Sequence, residues 1–463
     1  METYGVLSLI PPIIAICLAF KTKNVFTALF TAIFAGCVIL SGWNPVMAVQ
    51  TMFDTMVGVF ASANNVKSIF AVLIVGGMIK LIESMGGVEG LIRLLVQKRS
   101  IIKSQKGALL LTWLIGVLVF TTGGMSILVT GTVSAPICKA MKIAPEKNAL
   151  IVHATSSPVT VAIPFSAMGA FTIGYLGSMA AAVGGSPNVY YEALPYFFTP
   201  LIFIFGTLAV ILTGFDFPLM KKKIKEYESV VLKEVGVEQQ EVAQRGKAVY
   251  LILPMVLLVV CTLVFMVISG NGNFLKGDGM AAFLFAAFIS MLVTIAMALK
   301  DKLFTLDESV NIFIQGCGNM IPIAMILMCA YTFGTLTGVL GTGAYLGGIL
   351  GGFLPKATIP LMIYIIAAAI SMATGSLAAS ANTIAPIAIP MAAALGVPLP
   401  IAVGAVYSGA TLGDCASMIS DNTILTCSTT KCDVMSHVRT QLPYALANAA
   451  VSSILFLILG FVM

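Results

Sequence analysis

Residues 251–268, LILPMVLLVVCTLVFMVI, hold a single hydroxyl, Thr262, and no charge. As a helix rising 1.5 Å per residue, a run of this length covers about 27 Å, close to the roughly 30 Å of a bilayer's hydrocarbon core. A β-barrel strand would alternate apolar and polar side chains, whereas 71–77 and 361–370 are also near-continuous apolar runs, so a barrel is excluded. Working outward, 463 residues that are 59% hydrophobic and 10% charged, with mean hydropathy +1.03, do not describe two or three soluble domains. They describe an all-α integral membrane protein with room for about ten to twelve helices. Soluble-enzyme and nucleic-acid-binding readings fall with that.

The net charge of +6 invites an acidic partner, but the basic residues sit in loops beside apolar segments, where the positive-inside rule explains them. Membrane lipid is the expected surround, and nucleic acid is not expected. Nine cysteines are scattered, mostly inside apolar segments, and behave there as small hydrophobes without a disulfide framework. The first apolar segment, 6–20, lacks a basic leader and a small-residue cleavage site and is followed by Lys21 and Lys23, so it reads as a retained span.

Set against itself, the chain repeats its order of features. Spans at 6–20 and 26–42 recur at 248–268 and 280–299, and a span with a Gly-rich end recurs at 67–87 and 320–343. The Thr122-Gly123 break returns as Thr374-Gly375, Pro136 as Pro386, and a second polar break at 154–158 as 408–414. Residues 1–216 are expected to form one transmembrane repeat and 248–463 a second. Lys21, Lys23, Arg93, Lys98, Arg99, Lys103, Lys106, Lys139, Lys142 and Lys147 fall in the loops of the first half that alternate with those carrying Lys300, Lys302, Lys431 and Arg439 in the second. Corresponding loops then lie on opposite faces, as an inverted repeat of five full spans per half requires, with both termini external. Residues 217–247, with three lysines at 221–223 and then Glu226, Glu228, Glu234, Glu238 and Glu241, read as a charged cytoplasmic linker.

Inverted-repeat carriers place their site at the midplane, where broken helices free backbone groups. The apolar arms 107–120 and 125–141 are each long enough to reach mid-membrane and return, which makes a re-entrant hairpin, and 358–394 is its partner from the other side. Thr122, Ser126, Ser156 and Ser157 from one half, and Thr374, Ser376, Asn382 and Thr383 from the other, are the candidate polar lining. Close helix packing by small residues is the plainer reading of any one of them. Among the acids, Asp414 and Asp421 alone lie between extended apolar and small-residue flanks, and an ionised carboxylate at depth costs about 2.5–3.5 kcal/mol or more unless paired or solvated. Asp414, Ser417 and Asp421, at i, i+3 and i+7, would line one helical stripe able to hold Na⁺ when ionised and release it on protonation. Asp421 also reads as an N-cap. His153 adjoins the first broken segment and reads as a proton relay, a substrate contact or a structural histidine. Cys427, Cys432, Asp433 and His437 fit no common zinc spacing.

Residues 374–444 resemble the NhaC family of Na⁺/H⁺ antiporters: a Thr-Gly-Ser break, Gly-Val-Pro-Leu-Pro at 396–400, Ser408-Gly409-Ala410, and then Gly413, Asp414, Ser417, Ser420 and Asp421 on the family's Gly-Asp-x-x-Ser-Pro-x-Ser-Asp-Thr. Met418 replaces the Pro, Asn422 the Thr after the second Asp, and Cys415 stands where the family often has Lys. The resemblance implies a secondary transporter with paired hairpins, elevator-type movement and a homodimeric scaffold.

The expected activity is Na⁺/H⁺ exchange by alternating access, with Asp414, Asp421, Ser417, Asn382, Thr383 and Thr374 binding the ion and Thr122, Ser126, Ser156, Ser157, His153, Ser376 and Asn422 the substrate. The alternative is a Na⁺- or H⁺-coupled carrier of a small organic acid or amino acid, because more hydroxyls and amides converge than a bare ion requires. No Walker element is present, so ion gradients supply the energy, with Na⁺ and H⁺ as coupling ions and no cofactor. The expected location is the inner (plasma) membrane, multi-pass.

Overall fold

The computed structural model of the protein describes residues 4–22, 24–87, 89–90, 104–120, 122–231, 246–273, 277–342, 345 and 355–463. Lys23, Arg93, Lys98, Arg99, Lys103, Glu234, Glu238 and Glu241, named above, and the end of the 320–343 stretch at Gly343 lie outside them.

The first half runs α1 (Ile10–Thr22), α2 (Val25–Leu40), α3 (Pro45–Gly58), α4 (Ala63–Ser84), α5 (Gln105–Leu118), α6 (Gly123–Ala140), α7 (Pro145–Ala162), α8 (Ala167–Ala182), the short α9 (Val189–Ala193) and α10 (Phe198–Thr213). α11 (Pro218–Val231) opens the charged connector. The second half runs α12 (Val249–Ser269), α13 (Gly279–Lys300), α14 (Leu306–Val339), α15 (Ile359–Thr374), α16 (Leu377–Leu395), α17 (Leu399–Ala416), α18 (Asp421–Thr430) and α19 (Val434–Val462). Two leading spans, a long span, a helical hairpin, a broken helix and a closing span thus occur twice in the same order. Among the described residues eight helices are long and apolar enough to cross a membrane, or up to ten when two bent pairs are each taken as one span. The protein is an integral membrane protein.

Both hairpins form, and their turns lie where the sequence breaks. At the first, α5 stops at Leu118 and Thr122 caps α6, its hydroxyl accepting from the Met125 amide. At the second, Gly375 closes α15 at φ +69° and Ser376 caps α16. Fourteen residues give α5 about 21 Å, short of the hydrocarbon core, whereas the arms of the second hairpin, Lys356–Thr374 and Leu377–Leu395, are each long and apolar enough to cross.

The second breaks lie elsewhere than expected. Residues 154–158 and 408–414 are helical and buried, inside α7 and α17. The chain leaves helix at 163–166 and 417–420 instead, where Ser166 and Ser420 cap the next helices. The small polar residues serve close packing: a Cβ on Gly409 would lie 2.2 Å from the Tyr364 carbonyl oxygen, and one on Gly413 2.3 Å from that of Ala368, so α15 and α17 touch backbone to backbone. α14 also begins earlier than expected, because Thr305 and Glu308 form a capping box at its start.

α4 and α14 run antiparallel in contact, with Gly76 against Met320 and Gly316 against the Gly76 carbonyl oxygen. α8, from the first broken helix, and α16, from the second hairpin, pack against this pair. Lys139 and Lys431 share one surface depression with Tyr227 of α11, so basic loops from both halves gather at one end of the molecule. The N- and C-terminal helices end at the opposite face, where Thr342 bonds the Ser8 carbonyl oxygen and Gly460 meets Ala357.

Candidate functional site

A cavity of about 340 Å³ opens between the two hairpin turns. Thr122, Gly123 and Gly124 line it from the first hairpin and Ser376, Leu377, Ala378 and Asn382 from the second. Ser157 and Thr160 of α7, Ala167, Met168 and Phe171 of α8, Ile323 and Ile326 of α14, and Asp421 and Asn422 of α18 close it. Four helices, α6, α8, α16 and α18, therefore present their first turns to one space. Each turns the positive end of its dipole there, which favours a negatively charged group. Asn382 adds an amide whose Oδ1 has no hydrogen-bond partner among the described residues.

Asp414 lies behind this wall, in the last turn of α17, fully buried. Its Oδ1 accepts from the Ser420 hydroxyl at 2.6 Å, and its Oδ2 from the Ser157 hydroxyl at 2.9 Å and the Asn422 amide at 3.0 Å. All three donors are neutral. Among the described residues neither Asp414 nor Asp421 takes part in an ion pair. The charge of an ionised Asp414 is thus spread over hydrogen bonds from both halves and left without a counter-cation, so a bound cation or a proton completes the site chemically.

The break at 417–420 changes the expected stripe. Ser417 ends α17, so Asp414, Ser417 and Asp421 do not share a helical face. The Ser417 hydroxyl instead donates to the Met372 carbonyl oxygen of α15 at 2.8 Å, fixing the break against the second hairpin. Asp421 is the first residue of α18, exposed to the cavity, with Oδ1 accepting from the Asn422 amide, and the cap is Ser420.

The other expected residues divide by geometry. Thr122, Ser157, Ser376, Asn382 and Asn422 line the cavity. Thr374 and Thr383 return their hydroxyls to Ile370 and Ala379 one turn back, and Ser126 donates to Gly116 across the first hairpin, so these three act inside the helices. Ser156 is fully buried, does not line the cavity, and its hydroxyl has no partner among the described residues.

His153 points to a partner that the sequence reading set apart. Its Nδ1 lies 3.2 Å from His437 Nε2 and 3.0 Å from Gln441 Nε2, and Gln441 also donates to the Cys415 carbonyl oxygen at 2.6 Å. A His153 ring nitrogen, an Asp414 oxygen and the Cys415 sulfur all lie within 4.8 Å of one another. Ser420, which donates to Asp414, is the site residue missing from the expected set, and His437 and Gln441 back His153 outside the cavity lining. For Ser420 the cap pattern before Asp421 was a usable signal, whereas nothing local links His437 to a residue 284 positions away.

The sequence from 178 to 461 matches the model of the Na⁺/H⁺ antiporter family. An uncharacterized protein of Haemophilus influenzae is 27% identical over 99% of this chain and 91% of its own. A malate-2H⁺/Na⁺-lactate antiporter of Bacillus subtilis is 29% identical over 38% of this chain and 36% of its own, and an arginine/ornithine antiporter of Halobacterium salinarum 27% over 35% and 32%. The YdaH transporter of Alcanivorax borkumensis shares the fold, with a TM-score of 0.63 over 89% of this chain and 88% of that one at 15% identity.

Proposed function

The chain belongs to the Na⁺/H⁺ antiporter family, and from that premise we propose that it is a secondary antiporter in which Asp414 binds Na⁺ and H⁺ in turn. One observation carries the reading: Asp414 is fully buried, takes hydrogen bonds from neutral donors of both halves, and among the described residues has no cationic side chain paired with it. An ionised carboxylate there is stabilised by a Na⁺ among the oxygens of Ser157, Ser420 and Asp414. Protonation removes the charge and with it the cation. Exclusive occupancy by one or the other is what couples two opposed fluxes. The two hairpins, moving relative to α4 and α14, would expose the site to each face in turn.

A second reading has its own observation. The cavity is far larger than a dehydrated ion needs and is ringed by four helix N-termini, the geometry of a carboxylate site. In that reading the cargo is a small organic acid or amino acid whose carboxylate sits between the hairpin turns, with Asp414 as the coupling site. The relatives named for malate/lactate and arginine/ornithine exchange favour it.

Purified protein in liposomes with an internal pH dye separates the two. Prompt internal alkalinisation on adding Na⁺ outside, with no organic solute, supports cation/proton exchange. A dye that responds only when a carboxylate solute accompanies Na⁺ supports the second reading. A dye silent to every ion and acid overturns both.

A further inference from the structure

The chain has two histidines, and they face each other in its interior. His153, in α7, and His437, in the first turn of α19, are both fully buried. Gln441 sets their tautomers. Its Nε2 can only donate, one hydrogen going to the Cys415 carbonyl oxygen and the other to His153 Nδ1. His153 Nδ1 is therefore an acceptor, and the neutral ring carries its proton on Nε2. His437 Nε2, 3.2 Å from the same Nδ1, is then a donor, which leaves His437 Nδ1 bare. The two outer nitrogens, His437 Nδ1 and His153 Nε2, are buried without a hydrogen-bond partner among the described residues. Buried polar atoms of this kind cost stability and call for a reason.

We propose that His437 and His153 form a two-ring proton wire that serves Asp414 by a route separate from the cavity. The inference rests on the reading of Asp414 as a proton-binding carboxylate. A proton arriving from the end of the molecule where α19 begins binds the bare His437 Nδ1, the His437 Nε2 proton passes to His153 Nδ1, and the His153 Nε2 proton leaves for Asp414. Both rings end neutral, with their protons on the opposite nitrogens, and the carboxylate has gained one proton. Turning over both rings, or passing the proton back, restores the start.

The surroundings fit that direction. A ring nitrogen of His153 lies within 4.8 Å of an Asp414 oxygen, a gap that one bridging water spans. At the other end, His437 follows Ser436, whose hydroxyl donates to half-buried Glu146 at 2.6 Å, and Asp433, exposed, caps the same turn. That end lies toward the lysine-rich face. The titratable groups facing the pair are Asp414 and Cys415 from α17 and Asp421 from α18, while Gln441 contributes a neutral amide. Neither histidine lines the cavity, so a proton on this route need not pass the Na⁺.

The test compares two fluxes in proteoliposomes: Na⁺-driven proton movement, read by a pH dye, and ²²Na⁺/Na⁺ exchange, which moves no net proton. His437→Gln keeps a donor toward His153 and abolishes the relay. The expected result is a fall of about tenfold or more in proton movement, steeper as pH rises, with ²²Na⁺ exchange within about twofold of the wild type. Equal loss of both fluxes, or loss of neither, overturns the wire. Should His437→Gln fail to fold, the wild type in D₂O decides: slowed proton movement with unslowed exchange supports the wire, and no isotope effect on proton movement overturns it. A wild type that moves no protons with Na⁺ would instead sink the underlying reading, which keeps the two failures apart.

Discussion

The Ser157 hydroxyl of α7 donates to Asp414 Oδ2 of α17 at 2.9 Å, a buried bond between residues 257 positions apart that joins the two halves at a fully buried carboxylate. Replacing Asp414 by Asn keeps the shape and removes the charge. Coupled flux should fall to that of empty liposomes, while the melting temperature holds or rises, because a buried charge without an ion pair is lost. A hydrogen bond to a charged group is worth about 1.5–3 kcal/mol, so Ser157→Ala should raise the half-saturating Na⁺ concentration about tenfold to a hundredfold. Wild-type flux in Asp414→Asn would remove this residue from the site.

Asp421 should behave differently. It lies at the cavity surface on the first turn of α18, where a carboxylate gains about 0.3–1 kcal/mol from the helix dipole and attracts cations without enclosing them. Asp421→Asn should raise the half-saturating Na⁺ concentration several-fold and keep most of the maximal rate. Complete loss of flux, with folding intact, would make it a direct ligand after all.

The contrast between these two acids shows what the sequence carried. The apolar runs and the Thr-Gly and Gly-Ser breaks announced the spans and both hairpins, because a turn at depth needs a cap and a left-handed residue, as Thr122 and Gly375 supply. The second breaks were misread. Small polar residues at 154–158 and 408–414 look like breaks, but inside a membrane they allow helices to touch, and the true interruptions follow them at the caps Ser166 and Ser420. Treating 414–421 as one helix then put Asp414 and Asp421 on a common stripe. The pairing of His153 with His437 is purely tertiary, so no local pattern could have carried it.

Gly375 combines two constraints. Its φ is +69°, and a Cβ there would stand 2.6 Å from the Ile419 carbonyl oxygen, in the break beside Asp414. Gly214 has a similar φ of +71° but open space around it. Gly214→Ala should cost about 1–2 kcal/mol in stability from strain alone and leave transport unchanged. Gly375→Ala should lose stability and also slow Na⁺ flux, since the hairpin turn must move off the break. Equal flux in the two variants would show that the contact does not shape the site.

Asp301, outside the spans, gives a pH signature. Lys247 Nζ lies 2.6 Å from its Oδ2 and Tyr250 donates to the same oxygen, and the ammonium first and the phenol next hold the carboxyl below its usual range. A depressed carboxyl stabilises the fold above its unfolded pKa, about 3.9, and loses that contribution as pH falls through the lower folded value. Asp301→Asn should therefore lower the melting temperature at pH 7, where that contribution is full, and converge with the wild type on the acid side of pH 4, where it is lost. The pair is exposed, so salt should shrink the difference. Equal melting temperatures at pH 7 and low salt would count against the interaction.

A second ion pair is buried and should matter far more. Lys147, in the first turn of α7, meets Asp216 at 2.5 Å, with the two side chains 6% and 10% exposed, and Tyr444 of α19 donates to the same Asp216 oxygen at 2.6 Å. Three elements converge there: the start of α7, the segment between α10 and α11, and α19. Lys147→Met leaves Asp216 buried and unpaired, at a cost of about 3–5 kcal/mol, whereas Tyr444→Phe removes one neutral donor for roughly 1.5–3 kcal/mol. Replacing both charges, Lys147→Met with Asp216→Leu, leaves no buried charge and should recover more than half of the loss. Melting of the three variants in detergent provides the check. If the double variant is no more stable than Lys147→Met, the charges are not coupled, and the junction is held by its apolar contacts instead.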